Sequence, residues 1–243
     1  MRKRILWSAL ATTLVLTATF RTQLRVAMAA TTSRLSTPRT VQDRLRQYAP
    51  TVQARLRPFF AQSGVSYPPR RLTFVGLKDE ARLEVYAGSS NQPLRFIRAY
   101  PILAASGGPG PKLREGDRQV PEGIYAIELL NPNSLFHLSL RVSYPNRFDR
   151  RQAARDGRTS LGGDIMIHGS NVSIGCLAMG DPAAEDLFVL AAQTGLTNIT
   201  VILSPVDFRK GKTVPASAKL PVWAGALYSE IQTRLSELRR SVP

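Results

Sequence analysis

From Arg71 onward the chain is a succession of short apolar runs, each closed by turn residues, and this pattern points to strands rather than long helices. Leu72, Phe74 and Val75 open the first run, and Leu83, Val85 and Tyr86 form the second. Leu94, Phe96 and Ile97, continuing to Ile102 and Leu103, form the third, with Gly88-Ser89-Ser90-Asn91 as a turn before it. Ile124 to Leu129 reads as one further strand. Phe136 to Val142 alternates, with Phe136, Leu138, Leu140 and Val142 on one face and His137, Ser139 and Arg141 on the other. Ile165 to His168 is a short strand that stops at a glycine, and Ile199 to Leu203 closes the series. Residues 71–205 are therefore expected to be mostly β.

Helical spacing appears in three places. Over residues 41–62 the apolar positions are Val41, Leu45, Tyr48, Val52 and Leu56, then Phe59 and Phe60. Pro50 and Pro58 should interrupt this segment, which predicts two short helices. A second helix should start with Asp181 as N-cap and Pro182 in the first turn. Leu187, Leu190 and Ala191 would face inward, and Gly195 would end it. A last helix is expected from about Trp223 to Arg240, with a stripe of Trp223, Leu227, Ile231, Leu235 and Leu238. The sequence thus divides into residues 1–29, a linker and helical segment at 30–63, a main domain at 64–205, and a linker and C-terminal helix at 206–243. With 43% of 243 residues hydrophobic, such a domain can bury a sizeable core.

The first residues narrow the location. Arg2, Lys3 and Arg4 precede a stretch from Ile5 to Phe20 without any charge. This is the layout of an export signal, and Ala27-Met28-Ala29 offers small residues for cleavage after Ala29. An uncleaved membrane anchor is the alternative, since sixteen residues fall slightly short of a full span. Taking Arg2, Lys3, Arg4, Arg21 and Arg25 from the 33 basic residues leaves 28 against 17 acidic ones, so the basicity belongs to the rest of the chain. Export follows, with a membrane partner only through an uncleaved N-terminus. Export argues against nucleic acid as the acidic partner, and no zinc-finger or RNP signature is present. One Cys excludes an internal disulfide framework, and one Cys with two His cannot build the usual Cys/His zinc site without carboxylate help. No metal or other cofactor is expected.

Chemistry concentrates between Asp164 and Asp181. A strand delivers His168 to Gly169-Ser170-Asn171, and the chain returns eight residues later with Gly175-Cys176. A tight excursion of this kind can bring imidazole and thiol together. A free thiol is mostly protonated at neutral pH, so attack on a carbonyl needs a base that takes the proton and later returns it to a leaving amine. Backbone N–H groups around Gly175, Cys176 and Leu177 would hold the developing oxyanion. The plainer alternative is a small buried Cys and a hydrogen-bonded His at a strand end.

The run His168-Gly169 to Ser173-Ile174-Gly175-Cys176 resembles the active-site motif of the L,D-transpeptidase catalytic (YkuD) family, in its YafK-like branch. Supporting stretches are Pro101-Ile102-Leu103-Ala104-Ala105-Ser106-Gly107-Gly108, Pro111-Lys112-Leu113-Arg114-Glu115-Gly116-Asp117 and Val120-Pro121-Glu122-Gly123-Ile124-Tyr125. Phe136-His137-Leu138-Ser139 and Tyr144-Pro145-Asn146 with Asp149 fit as well, so the likeness covers residues 42–205. The resemblance implies a mainly β, sandwich-like catalytic domain, here with an N-terminal helical segment, one internal helix and a C-terminal helix. It implies peptidoglycan stem peptides as substrate, with Cys176 attacking the carbonyl at the L-centre of meso-diaminopimelate and His168 as base. A thioester would pass to an amine or to water, and a carbapenem would acylate Cys176. The branch implies hydrolytic release of a peptidoglycan-attached lipoprotein as a further activity.

One departure stands out. Ile174 occupies the place where most of the family has a second His, and the gap between His168 and Cys176 is short. Both point toward a specialised or hydrolytic variant, and a non-catalytic wall-binding module is the alternative of another class. Ser173, Gly175 and Leu177 are expected to shape the loop. Tyr144, Asn146, Arg158 and His137 are candidates for contact with the stem peptide. Arg150, Arg151, Arg155 and Arg158 read as a charged loop, in which an Arg can offer a carboxylate bidentate contacts.

Overall fold

A computed structural model describes residues 37–90, 92–216 and 218–238. The proposed export or anchor segment at 1–29 lies outside the described residues. Among the described residues no helix is long and apolar enough to cross a membrane.

The first element is a helix, α1 (Val41–Ser63), opened by a reciprocal cap between Thr40 and Asp43 and closed by Gly64 at φ 66°. It is one helix of 23 residues, not two, with Pro50 and Pro58 inside it. Both prolines are exposed, so the carbonyls they deprive of a partner face water. Val52, Leu56 and Phe60 are buried along its other side and hold it onto the domain, which outweighs the two missing hydrogen bonds.

Two mixed sheets follow. The first takes β1 (Arg71–Leu77), β2 (Arg82–Gly88), β3 (Arg95–Pro101), β4 (Gly123–Tyr125) and β9 (Ile199–Ser204), in the order β3-β2-β1-β9-β4. The second takes β5 (Ile127–Asn131), β6 (Ser139–Val142), β7 (Met166–His168) and β8 (Leu177–Ala178), in that order. The expected strand over Ile124–Leu129 is split. Gly123–Tyr125 pairs with β9, whereas Ile127–Asn131 pairs with β6, so the chain changes sheets at Ala126. The alternating run from Phe136 is also shorter than its pattern. His137 has φ 72°, which breaks the extended backbone, and the strand begins at Ser139.

Between these layers runs α3 (Asp181–Thr194). Nine of its residues are buried, including Leu187, Phe188, Val189 and Leu190, so it is enclosed nearly all round rather than along one stripe. Gly180, not Asp181, is its N-cap. Asp186 is buried within it and accepts from Arg55 of α1 at 2.8 Å and from the Tyr100 hydroxyl of β3 at 2.9 Å. The last helix, α4 (Ala224–Ser236), covers the far face of the first sheet. Leu227, Ile231 and Leu235 meet Val75, Leu77, Tyr86 and Ile202 there.

A fourth helix, α2 (Arg147–Arg155), occupies the stretch expected to be a charged loop. Asn146 and Asp149 cap it reciprocally: the Asp149 N–H donates to Asn146 Oδ1 at 3.0 Å and the Asn146 N–H to Asp149 Oδ2 at 2.9 Å. The arginines occupy the exposed face, while Gln152 and Ala153 are buried. Burial of Asp149 outweighs the Asn146 N–H and the positive charge of Arg150 and Arg158, and raises its pKa to about 6. Its folded pKa lies above the unfolded value, so protonation of Asp149 stabilises the fold at low pH and that contribution is lost as pH rises through about 6. Asp149→Asn keeps an oxygen acceptor and removes this dependence. In urea titrations the variant should gain about 3 kcal/mol on wild type between pH 3.5 and pH 7.

Candidate active site

β7 carries His168 at its last position, and β8 begins one residue after Cys176. The two strands pair in parallel, with Ile167 opposite Leu177 and His168 opposite Ala178. Extending that register by one residue sets Cys176 beside Met166, whose side chain shares a strand face with that of His168. The Met166 N–H donates to Cys176 Sγ at 3.4 Å, and Sγ donates to the Asp164 carbonyl at 3.5 Å. Burial pushes the thiol pKa up, opposed by the Met166 N–H.

The imidazole of His168 is buried, with the Phe136 ring 4.8 Å away, centroid to centroid. Its Nδ1 lies 2.6 Å from the Gly169 carbonyl oxygen. A carbonyl can only accept, so Nδ1 carries the proton and Nε2 presents a lone pair. Burial lowers the His168 pKa below 6.5 despite that hydrogen bond, which keeps the ring neutral at pH 7. No hydrogen bond joins His168 to Cys176 here: the two share adjoining strands, but the thiol's partners are backbone groups. Catalytic hydrogen bonds of unliganded sites are often long and close only on substrate.

The loop between them is closely held. The Ser170 N–H donates to Asp181 Oδ1 at 2.8 Å, and the N–H groups of Met179 and Gly180 donate to the carbonyls of His168 and Ser170. A Cβ at Gly169 would lie 2.6 Å from Asp181 Oδ1 and 2.7 Å from the Phe136 carbonyl oxygen, so only glycine fits without displacement. Gly175 has φ 88°, a left-handed conformation that glycine adopts freely.

Of the three expected oxyanion donors, those of Gly175 and Cys176 are engaged by side-chain hydroxyls. The Gly175 N–H donates to Ser106 Oγ at 2.6 Å, and the Cys176 N–H donates to Ser173 Oγ at 3.0 Å. Ser106 Oγ in turn donates to the Arg118 carbonyl at 2.7 Å, and Ser173 Oγ to the Cys176 carbonyl at 2.7 Å. Ser106 is held in place because residues 103–104 run beside β8, where the Leu103 N–H donates to the Ala178 carbonyl at 2.8 Å. Leu177 is buried in β8. Val172 and Ile174 project into solvent.

The other candidates make contacts within the domain. The Tyr144 hydroxyl lies 3.3 Å from the carbonyl oxygens of Lys112 and Leu161. Asn146 caps α2 and donates through Nδ2 to the Ile124 carbonyl at 2.9 Å. Arg158 donates to the Leu113 carbonyl at 2.7 Å and to Asp156 at 2.8 Å. His137 turns toward α3, where its Nε2 lies 3.1 Å from Glu185 Oε1 and its ring meets Tyr48. Sequence reasoning assigned no role to Ser106, to the Phe136 ring over His168, or to Asp181 as an acceptor for the loop. Among the described residues no group of three His, Cys, Asp or Glu could hold a metal ion.

A two-sheet domain with His at the end of one strand and Cys just before its parallel neighbour, joined by a hydroxyl-braced loop, defines a class of cysteine-bearing domains. Residues 71–206 match the L,D-transpeptidase catalytic domain (YkuD), and the chain belongs to that family. It is 35% identical over 113 residues to YafK of Escherichia coli (strain K12), named as a candidate L,D-transpeptidase; the match covers 46% of this chain and 43% of YafK. The chain thus spans less than half the length of this curated relative. Among solved structures, it is similar to the helical cell shape determining protein Pgp2 of Campylobacter jejuni (TM-score 0.46, 21% identity, 62% of this chain and 55% of that one). Another is Bd1075 of Bdellovibrio bacteriovorus (TM-score 0.41, 22% identity, 71% and 55%).

Ser106→Ala removes the acceptor of the Gly175 N–H. Hydrogen exchange read by mass spectrometry or NMR should show the Gly175 amide exchanging about tenfold faster, the loss of about one hydrogen bond. Gly169→Ala should cost about 1–3 kcal/mol of unfolding free energy, since its Cβ meets a carbonyl oxygen and a hydrogen-bonded carboxylate.

Proposed function

We propose that this chain is a cysteine acyltransferase acting on peptidoglycan stem peptides, exported by its first 29 residues to the periplasm, with residues 64–205 as the catalytic domain. Cys176 is the nucleophile and His168 the base. The observation that carries this reading is the state of His168: Nδ1 is fixed as a donor to the Gly169 carbonyl, and burial keeps the ring neutral. A neutral imidazole with a free Nε2 lone pair, one strand from a thiol, is what proton abstraction requires.

In this mechanism Nε2 takes the thiol proton as sulfur bonds to the carbonyl carbon at the L-centre of meso-diaminopimelate. The carbonyl oxygen becomes an oxyanion, which the N–H groups of Gly175 and Cys176 receive in exchange for Ser106 and Ser173. Collapse breaks the C–N bond, and the imidazolium returns its proton to the departing amine. The thioester then passes to an incoming amine, whose proton His168 accepts, and the thiol is restored. Water in place of the amine gives hydrolysis, and release of a peptidoglycan-attached lipoprotein is one form of it. The hydrolytic reading is favoured by Ile174, which is 75% exposed where the family motif has a second His.

Intact mass after incubation with a carbapenem tests the core of this reading. Wild type should form an adduct and Cys176→Ala none; His168→Gln should form it about 10²–10⁴-fold more slowly. The wild-type rate should fall as His168 protonates, at a pH lower than an ordinary imidazole would give, because burial lowers its pKa. The His168→Gln rate should instead climb with pH toward the thiol's own ionisation. An adduct that survives Cys176→Ala would falsify the nucleophile. No adduct on folded wild type would leave a wall-binding module, recognised by salt-sensitive binding to sacculi.

A further inference from the structure

We propose that α2 and the segment 219–223 form a docking face for an anionic lipid bilayer. Arg147, Arg150, Arg151 and Arg155 stand at spacings of three, four and eight on the exposed side of α2. None of the four pairs with a carboxylate among the described residues, although Arg and Lys elsewhere form many ion pairs. This helix therefore presents a concentrated positive stripe that the protein does not neutralise internally.

Apolar groups border that stripe. Trp223 packs on α2: its ring lies 5.7 Å from Phe148, and its Nε1 donates to Asp156 Oδ2 at 3.0 Å just past the end of the helix. The Arg151 guanidinium lies 5.8 Å from the Phe148 ring, which places the basic stripe directly beside the aromatic pair. The residues leading into Trp223 turn outward. Val222 is fully exposed, Leu220 is 37% exposed, and Lys219 adds an unpaired cation. Asp156 is the carboxylate on this border, and it is engaged by both Arg158 and Trp223.

A soluble polyanion would use the arginines alone and gain nothing from Val222 and Leu220. A bilayer uses both, because its headgroups take the cations while aliphatic side chains enter the acyl boundary next to an interfacial Trp. The arrangement of unpaired arginines next to outward-facing aliphatic residues is why lipid is favoured over a wall polymer.

The test is co-sedimentation of the full chain with vesicles of phosphatidylcholine alone or mixed equally with phosphatidylglycerol. Wild type should bind the mixed vesicles more tightly, and the difference should shrink with salt. Arg147→Gln, Arg150→Gln, Arg151→Gln and Arg155→Gln combined should weaken that binding by more than tenfold. Leu220→Ser with Val222→Ser should weaken it by about five- to tenfold, while carbapenem acylation and melting temperature stay at wild-type values in both variants. The N-terminal segment is common to all three chains, and the comparison is made at lipid concentrations that leave wild type about half bound, so that affinity it adds to all three does not hide their ratio. Equal binding by all three would overturn the proposal. Loss in the arginine variant with none in the serine variant, together with competition by polyglutamate, would also overturn it, in favour of a soluble polyanion.

Discussion

The structure around the site depends on a parallel strand pair closed by a very short loop. Parallel neighbours ordinarily need a connection of a dozen or more residues, yet β7 and β8 are joined by the eight residues 169–176. The chain meets this constraint in two ways. It keeps β8 to two residues, and it spends left-handed or sterically bare positions at Gly169, Ser170 and Gly175 on the bend. What results is a loop whose ends lie side by side, so that His168 and Cys176 are neighbours by construction rather than by side-chain reach.

That loop is braced at three points, two of them from other parts of the chain. Asp181, at the start of the enclosed helix α3, accepts the Ser170 N–H. Ser106, on the segment beside β8, accepts the Gly175 N–H, and Ser173 accepts the Cys176 N–H from within the loop. Helix α3 in turn is locked to α1 and β3 through buried Asp186, which Arg55 and Tyr100 satisfy together. The position of the loop is thus inherited from the core, and helix α1 contributes to the site although it lies some hundred residues from it in sequence.

The strands and the site motif were legible because each is a local signal. β1, β2, β3 and β9 fall where short apolar runs are bounded by turn residues, and His168 and Cys176 stand out by residue type and flanking glycines. What was not legible depended on tertiary partners. Nothing local says that Gly123–Tyr125 and Ile127–Asn131 join different sheets, since that choice is made by β9 and β6. The prolines of α1 argue for a break that packing of Val52, Leu56 and Phe60 overrides. Helix α2 is different: Asn146 and Asp149 stand three apart as a cap pair, and the signal was obscured by the arginines that follow. Ser106 carries no such mark, because its role is set by a loop seventy residues away.

The electrostatics of the pair have a consistent direction. Burial raises the Cys176 pKa and lowers that of His168, so both shifts favour neutral thiol beside neutral imidazole over a thiolate–imidazolium pair. A resting thiolate would be nucleophilic toward any electrophile that reached it, and open to oxidation. In the proposed mechanism a neutral pair would defer the charge until a carbonyl is in place, when proton transfer and C–S bond formation would proceed together. The hydroxyls of Ser106 and Ser173 act in the same sense, because they satisfy the Gly175 and Cys176 N–H groups in the resting site. Under the proposed mechanism, only a ligand that both approaches sulfur and offers a developing negative oxygen would repay what the resting site gives up, and selectivity for acyl chemistry would arise from this neutral, self-satisfied ground state.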